Sequence, residues 1–250
     1  MTMTQPIIEV KQLKTYLGNV WVHKGINFLV QPGEVFVIMG GSGSGKTVLI
    51  HELLSLRRPT SGSIRIFNQE MTTASAETLL GIQRRLGVLF QQNALFSSLT
   101  VLENVAFPLK EHTALNDATI RDLSLLKILL AGLPLDSAIK YPSELSGGMQ
   151  KRAALARAIV LDPELIFLDE PTAGLDPSNI LKFDELILNL QTTMGLTIVM
   201  VTHDVLSLKR VANRVAFLGE GRVLDIDTPT KLIKNPHPLI QDFFKSWDEA

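Results

Sequence analysis

The sequence predicts an α/β fold that opens with an antiparallel β region and carries a helical insertion in its middle. Three observations predict it. Val35 to Met39 (VFVIM) is a short apolar run rich in β-branched residues; GGSGSGKT and then VLIHELLSL follow, so a glycine-rich loop joins a buried strand to a helix. Two later apolar runs, LIFL from Leu165 and TIVMV from Thr197, each end in polar residues and flank a long helical pattern, as buried parallel strands do. Between them and the first strand, from about Gln92 to Met149, the pattern is helix and loop only.

Ile7 to Leu17 alternates as a strand, and Trp21 to His23 and Phe28 to Val30 are further strand candidates. Pro32-Gly33 is a turn into the VFVIM strand. Thr47 to Leu56 reads as the helix after the loop, Ser63 to Phe67 as a strand, Ala76 to Leu86 as a helix and Gly87 to Phe90 as a strand. Thr100 and Glu103 form a capping box that starts a helix, which Pro108 should end or kink. Asn116 caps a longer helix running to Gly132. Ser146 suits the N-cap of LSGGMQKRAALARAIVL. Pro177 to Met194 is a long helix closed by Gly195. Val215 to Leu218 and Arg222 to Ile226 make a hairpin around Gly219-Glu220-Gly221, and Thr228-Pro229 starts a short helix. Phe243, Phe244 and Trp247 read as the packed face of a terminal helix, with a partner contact as the alternative.

Gly40 to Thr47 fits G-x-x-x-x-G-K-[ST] without mismatch, between a strand and a helix. Glycines let successive backbone N–H groups point inward as an anion nest, and the helix N-terminus adds positive potential. Lys46 would reach β- and γ-phosphates, and the Thr47 hydroxyl would ligate Mg²⁺. Other residues repeat this logic more weakly. Tyr16, thirty positions before Lys46, could stack on an adenine ring; Trp21 competes for that role, and a plain core or surface tyrosine fits as well. Gln91 directly follows an apolar strand, where it could bind Mg²⁺ or orient a water, or be a loop residue. Ser146, Gly147 and Gly148 stand at a helix start, either an ordinary cap or a second anion site. Asp169 and Glu170 end a strand of four apolar residues, at the end where open parallel sheets bind ligands. Asp169 is placed to hold Mg²⁺ and Glu170 to polarise water for attack on a γ-phosphate. His203 ends the TIVMV strand in the same manner.

With 250 residues, 46% hydrophobic and 20% charged, the chain is globular. A net charge of −1 and a pI of about 6.5 give no reason to expect nucleic acid. The chain has no cysteine, so no disulfide framework exists and a cytosolic setting is compatible. MTMTQPIIEV lacks the basic and apolar parts of a signal peptide, and no apolar stretch reaches the roughly 18 residues of a membrane span. Mean hydropathy is nonetheless +0.21, which fits either well-buried sheets or a docking face covered in a complex.

Together these residues resemble the ATP-binding-cassette (ABC) ATPase family over the whole chain. In that resemblance Gly40-Gly41-Ser42-Gly43-Ser44-Gly45-Lys46-Thr47 is the Walker A loop and Gln91 the Q-loop glutamine. Leu145-Ser146-Gly147-Gly148-Met149 is the LSGGQ signature, with methionine in its last place. Asp169 and Glu170 end the Walker B strand, Ala173-Gly174-Leu175-Asp176 is the D-loop, and His203 is the switch histidine. Tyr16 matches the A-loop aromatic loosely.

The resemblance implies a P-loop NTPase fold. Residues 1–250 would form one ATP-binding domain with a RecA-like core, an antiparallel β subdomain and an inserted helical subdomain at about 92–149. ATP and Mg²⁺ are the implied ligands, with Thr47, Gln91 and Asp169 on the metal. Two such domains would close head to tail over two ATP molecules, each held between one Walker A loop and the other protomer's Ser146-Gly147-Gly148, with Asp176 beside them. Glu170 would be the general base, His203 would hold γ-phosphate and water, and Gln91 would report the site to a membrane partner.

FQQNALFSSLTVLENVAFPLKEHT and YPSELSGGMQKRAALARAIVLDPELIFLDEPTAGLDP are similar to the ATPase subunits of Mla/Mce-type lipid transporters. That similarity implies an integral membrane permease, an MCE-domain lipid-binding protein and phospholipid cargo. The chain would then be a homodimeric, peripheral subunit on the cytoplasmic face of the inner membrane. The ATPase of a small-solute importer is the alternative. A soluble ABC ATPase acting on DNA or ribosomes is opposed by the lack of a long coiled-coil insert or a second cassette, and binding without hydrolysis is opposed by Glu170 and His203.

Overall fold

Alternating buried and exposed residues lay out the opening sheet. The computed structural model describes residues 5–248, with side chains through Lys245. The first four residues of MTMTQPIIEV and the side chain of Trp247 lie outside that description. β1 (Ile8–Leu17) pairs antiparallel with β2 (Val20–Val30), Ile8 opposite Val30 and Tyr16 opposite Trp21. The two strand candidates within β2 are therefore one strand. A register shift near Gln12 joins them: Gln12 takes φ 48°, and its N–H donates to Asn27 Oδ1 at 2.8 Å.

β3 (Val35–Met39) is buried at every position and leads into α1 (Lys46–Leu53). β4 (Ser61–Ile66) pairs with β1 and turns back into β5 (Gln69–Glu70). Phe67 and Asn68 both take positive φ, the geometry of a two-residue hairpin turn, which is why the strand stops before Phe67. α2 (Ala76–Gln83) ends earlier than its apolar pattern predicts, because Leu86 belongs to β6 (Leu86–Leu89) and pairs with Leu165.

α3 (Val101–His112) begins at the expected capping box. It runs on through Pro108, since Val105, Ala106 and Leu109 are locked in a core with Ile120, Ile128 and Ala153 from the next helices. Burial there outweighs the backbone bond that proline removes. α4 (Asp117–Leu130) and α5 (Gly147–Ala158) follow, capped by Asn116 and Ser146. β7 (Leu165–Asp169) and α6 (Pro177–Met194, closed by Gly195) come next. The remaining elements are β8 (Thr197–Val201), α7 (Val205–Val211), the hairpin of β9 (Arg214–Gly219) and β10 (Arg222–Asp227), α8 (Pro229–Leu232) and α9 (Pro238–Asp248).

The chain divides into two units, residues 5–82 with 197–248, and residues 83–196. The first holds the antiparallel sheet β2-β1-β4-β5 and a second set in which β3 lies parallel between β8 and β9, with β10 at the edge. Phe243 and Phe244 of α9 pack on Phe217 of β9, as expected for the face of a terminal helix. The second unit holds the parallel pair β6 and β7 with α3 to α6. Among the described residues no helix is long and apolar enough to cross a membrane.

Asn104 is the polar anchor of the second unit. It is fully buried, its Nδ2 donates to the carbonyls of Phe96, Leu99 and Thr100, and its Oδ1 accepts from Phe96 N. Asn104→Ala leaves these groups unpaired and should lower stability by about 2–4 kcal/mol. Urea unfolding measures it; a loss below about 0.5 kcal/mol would show that the anchor carries nothing.

Candidate functional site

The phosphate loop leaves β3 at Gly40, where the backbone takes φ 152°. A Cβ there would stand 2.2 Å from the Leu218 carbonyl oxygen, so only glycine fits against β9. The loop then curls over itself: Ser44 N donates to Gly41 O at 3.2 Å, and Lys46 Nζ reaches back to Gly40 O at 2.8 Å and Gly41 O at 3.0 Å. Gly45, at φ 97°, is the N-cap of α1, and no side chain caps that helix. Thr100, Asn116, Ser146, Asp176 and Asp204 cap their helices with side-chain oxygens. The α1 N-terminus is thus built without a side-chain acceptor, and Ser44 Oγ beside it is buried without a hydrogen-bond partner. Gly41, Ser42, Gly43 and Thr47 are exposed. Donors and open space of this kind fit a nucleotide's phosphates.

In the same unit Tyr16 and Trp21 face each other across β1 and β2, half exposed, with ring centroids 5.2 Å apart. The two candidates for adenine stacking are therefore one aromatic patch. His203 follows β8 and is exposed. Its neighbours are fixed: Thr202 Oγ1 accepts from Asp204 N, and Asp204 Oδ1 accepts from Leu206 N and Ser207 N at the start of α7. A cavity of about 430 Å³ beside the loop is lined by Gly41 to Ser44, Phe217 to Glu220, Leu239 and Phe243.

The second unit carries the other residues. Asp169 closes β7 and is buried, while Glu170 is half-buried with φ 50°, a strained value for a non-glycine residue. Its carbonyl accepts from Ala173 N at 3.2 Å and from Lys151 Nζ at 3.3 Å. Burial pulls the Lys151 ammonium below its usual range, and the Glu170 carboxylate works against that shift. Ser146 caps α5 by accepting from Met149 N at 3.3 Å; Ser146 and Gly147 are exposed. Asp176 caps α6, and hydrogen bonds from the Asn179 side chain and N–H hold its carboxyl below the ordinary aspartate value. That cap is intact at neutral pH and is lost only as pH falls through the lowered folded-state value.

Gln91 is exposed in the turn after β6. The turn beyond it, where Asn93 and Ala94 take positive φ, is held by Arg157 of α5, which donates to Ala94 O at 2.7 Å and Asn93 O at 2.9 Å. Arg157, Lys151 and Asn104 escaped the sequence reading. A basic or amide side chain within a helix gives no sign of the carbonyl it will meet after folding. Among the described residues no cluster of three or more His, Asp or Glu could hold a metal by itself.

The ABC transporter family model matches residues 23–173. A probable ribonucleotide transport ATP-binding protein of Mycobacterium leprae is 39% identical over 94% of this chain and 68% of its own length. The intermembrane phospholipid transport system ATP-binding protein MlaF of Haemophilus influenzae is 38% identical over 97% of this chain and 92% of its own length. Among solved structures, a dimeric ATP-binding cassette in a post-hydrolysis state bound to ADP and Pi superimposes with a TM-score of 0.81, at 32% identity over 89% of this chain and 98% of that one. A cassette from Clostridium perfringens, part of an ABC transporter complex, gives 0.84 at 30% identity over 92% of each chain. A family match over more than half the chain, joined to relatives and folds alike across nearly all of it, makes the assignment: the chain belongs to the ABC transporter family, as an ATP-binding and ATP-hydrolysing cassette.

Proposed function

We propose that the chain powers phospholipid transport between membranes as the ATPase subunit of an Mla/Mce-type transporter. The observation that carries this reading is the match to the H. influenzae phospholipid transport protein, over 97% of this chain and 92% of that one. The mycobacterial relative named for ribonucleotide transport is equally similar but extends well beyond this chain, which spans 68% of it. The chain works as one cassette, with residues at about 92–149 as an inserted helical subdomain. It sits as a peripheral subunit on the cytoplasmic face of the inner membrane, paired with a second copy and bound to an integral permease and an MCE-domain protein.

The site residues take the roles that their surroundings favour. Gly40 to Lys46 cradle the phosphates of ATP, with Ser44 Oγ and the uncapped α1 N-terminus among the donors. Thr47, Asp169 and Gln91 hold Mg²⁺, which neutralises phosphate charge when bound. Glu170 takes the proton of the attacking water, and His203 orients that water and the γ-phosphate. Tyr16 stacks on the adenine, and the partner copy's Ser146, Gly147 and Gly148, with Asp176, complete each site.

Lys46→Ala should weaken ATP binding at least tenfold, measured with a fluorescent ATP analogue. Unchanged affinity would remove the loop from the site. Glu170→Gln should keep ATP binding, lower turnover about 100-fold or more and trap an ATP-dependent dimer on size-exclusion chromatography. Normal turnover in that variant would exclude Glu170 as the base. The transport reading is tested by purifying the tagged chain from detergent-solubilised membranes. A permease and an MCE-domain protein should come with it. A permease with a soluble solute-binding protein would instead mark solute import, and no membrane partner would mark a soluble ATPase.

A further inference from the structure

A polar network lies sealed beneath the phosphate loop. Thr15 of β1, His23 of β2 and Glu52 of α1 are 2%, 0% and 1% exposed. Thr15 Oγ1 donates to Glu52 Oε1 at 2.5 Å. His23 Nδ1 lies 3.2 Å from Thr15 Oγ1 and 3.0 Å from Glu52 Oε2, the latter a close approach without hydrogen-bond geometry. The far side of the ring meets the loop, with Nε2 3.2 Å from the Gly45 carbonyl oxygen. A carbonyl only accepts, so this contact requires a proton on Nε2. The fit is close on all sides: a Cβ on Gly45 would stand 2.7 Å from His23 Nε2 and 2.9 Å from Val22 Cγ1.

These residues occupy positions that packing alone would fill with hydrocarbon. The other inward residues of β2 are Ile26, Phe28 and Val30, and Glu52 is flanked in α1 by buried Leu49, Ile50 and Leu53. A buried acid and imidazole are expensive to desolvate and contribute little stability over an apolar pair. What the imidazole does that an aliphatic side chain cannot is donate to Gly45 O.

We propose that His23 is a positioning residue for the phosphate loop, with Glu52 and Thr15 fixing its ring and its Nε2–H fixing the Gly45 peptide. The proposal rests on the reading that Gly40 to Thr47 bind ATP. Gly45 immediately precedes Lys46 and Thr47, so rotation of its peptide re-aims both side chains and the first N–H groups of α1. The ring has a firm base, because Lys24 N beside it donates to Gly221 O at 2.7 Å in the β9–β10 turn. A loop held in its binding conformation loses less freedom when phosphate arrives, so the network acts on ATP affinity.

The test uses the full chain, its affinity for a fluorescent ATP analogue, and its ATPase kinetics. His23→Leu alone strands the Glu52 carboxylate in the core and risks unfolding. The triple variant T15V/H23L/E52L instead replaces the whole network by apolar side chains. H23Q/E52Q rebuilds it with amides, one of which can donate to Gly45 O. The triple variant should unfold cooperatively and show a KM for ATP raised about tenfold, with kcat within about twofold. H23Q/E52Q should recover most of that affinity. A folded triple variant with wild-type KM overturns the proposal, and so does a folded H23Q/E52Q that binds no better than the triple. Histidine-labelled NMR of the unsubstituted chain supplies a readout independent of any variant. A solvent-protected Nε2–H on His23 supports the proposal, and an unprotonated Nε2 overturns it. Lys46→Ala serves as the reference: a wild-type chain that fails to bind the analogue, or a K46A chain that binds it equally, removes the ATP reading itself and the role of His23 with it.

Discussion

Gly40 has no space for a side chain, and much of the first unit follows from that. β3 is hydrogen-bonded in parallel to β8 on one side and β9 on the other, and β9 brings the Leu218 carbonyl against Gly40. The chain therefore leaves β3 in a conformation open only to glycine and curls at once. The curl orients Lys46 back over the loop and leaves α1 beginning at a glycine, without a side-chain cap. A helix start that serine, threonine, asparagine or aspartate caps elsewhere in the chain is here left uncapped, the arrangement on which the proposed phosphate site rests.

The second unit solves a different problem, which is how to hold irregular backbone still. The segment after β6 contains two positive-φ residues and only isolated turn hydrogen bonds, so side chains from helices supply further partners. Arg157 holds the carbonyls of Asn93 and Ala94, and Asn104 holds Phe96, Leu99 and Thr100. Lys151 does the same for the turn after β7 by donating to Glu170 O. A loop tethered at several points can follow a movement of α3 or α5 as one piece.

Much of the fold was legible because its signals are local. The capping box at Thr100 and Glu103, the N-caps Asn116 and Ser146, the closure of α6 at Gly195 and the GEG hairpin all act within a few residues. The misreadings came where a distant partner decided. Leu86 looked like the end of a helix but pairs with Leu165 in β6. Pro108, expected to end or kink its helix, does not end it, because its neighbours are buried in the helical core. β2 looked like two fragments, because the register shift that joins them depends on Gln12 and Asn27 in different strands.

The same division runs through the candidate site. The sequence by itself determined the glycine-rich loop and its flanking strand and helix, the acids at the end of β7, the histidine after β8 and the serine cap of α5. Residue type, spacing and apolar periodicity specify each of these within one short segment. Only the tertiary structure decided that Gly40 is pressed by Leu218, that Tyr16 and Trp21 form one aromatic patch, and that His23, Glu52 and Thr15 lie buried under Gly45. Each of those contacts joins residues on separate strands or helices. Their meaning depends on how sheets and helices pack, and a lone histidine or glutamate in a strand or helix pattern carries no trace of the neighbour it will meet.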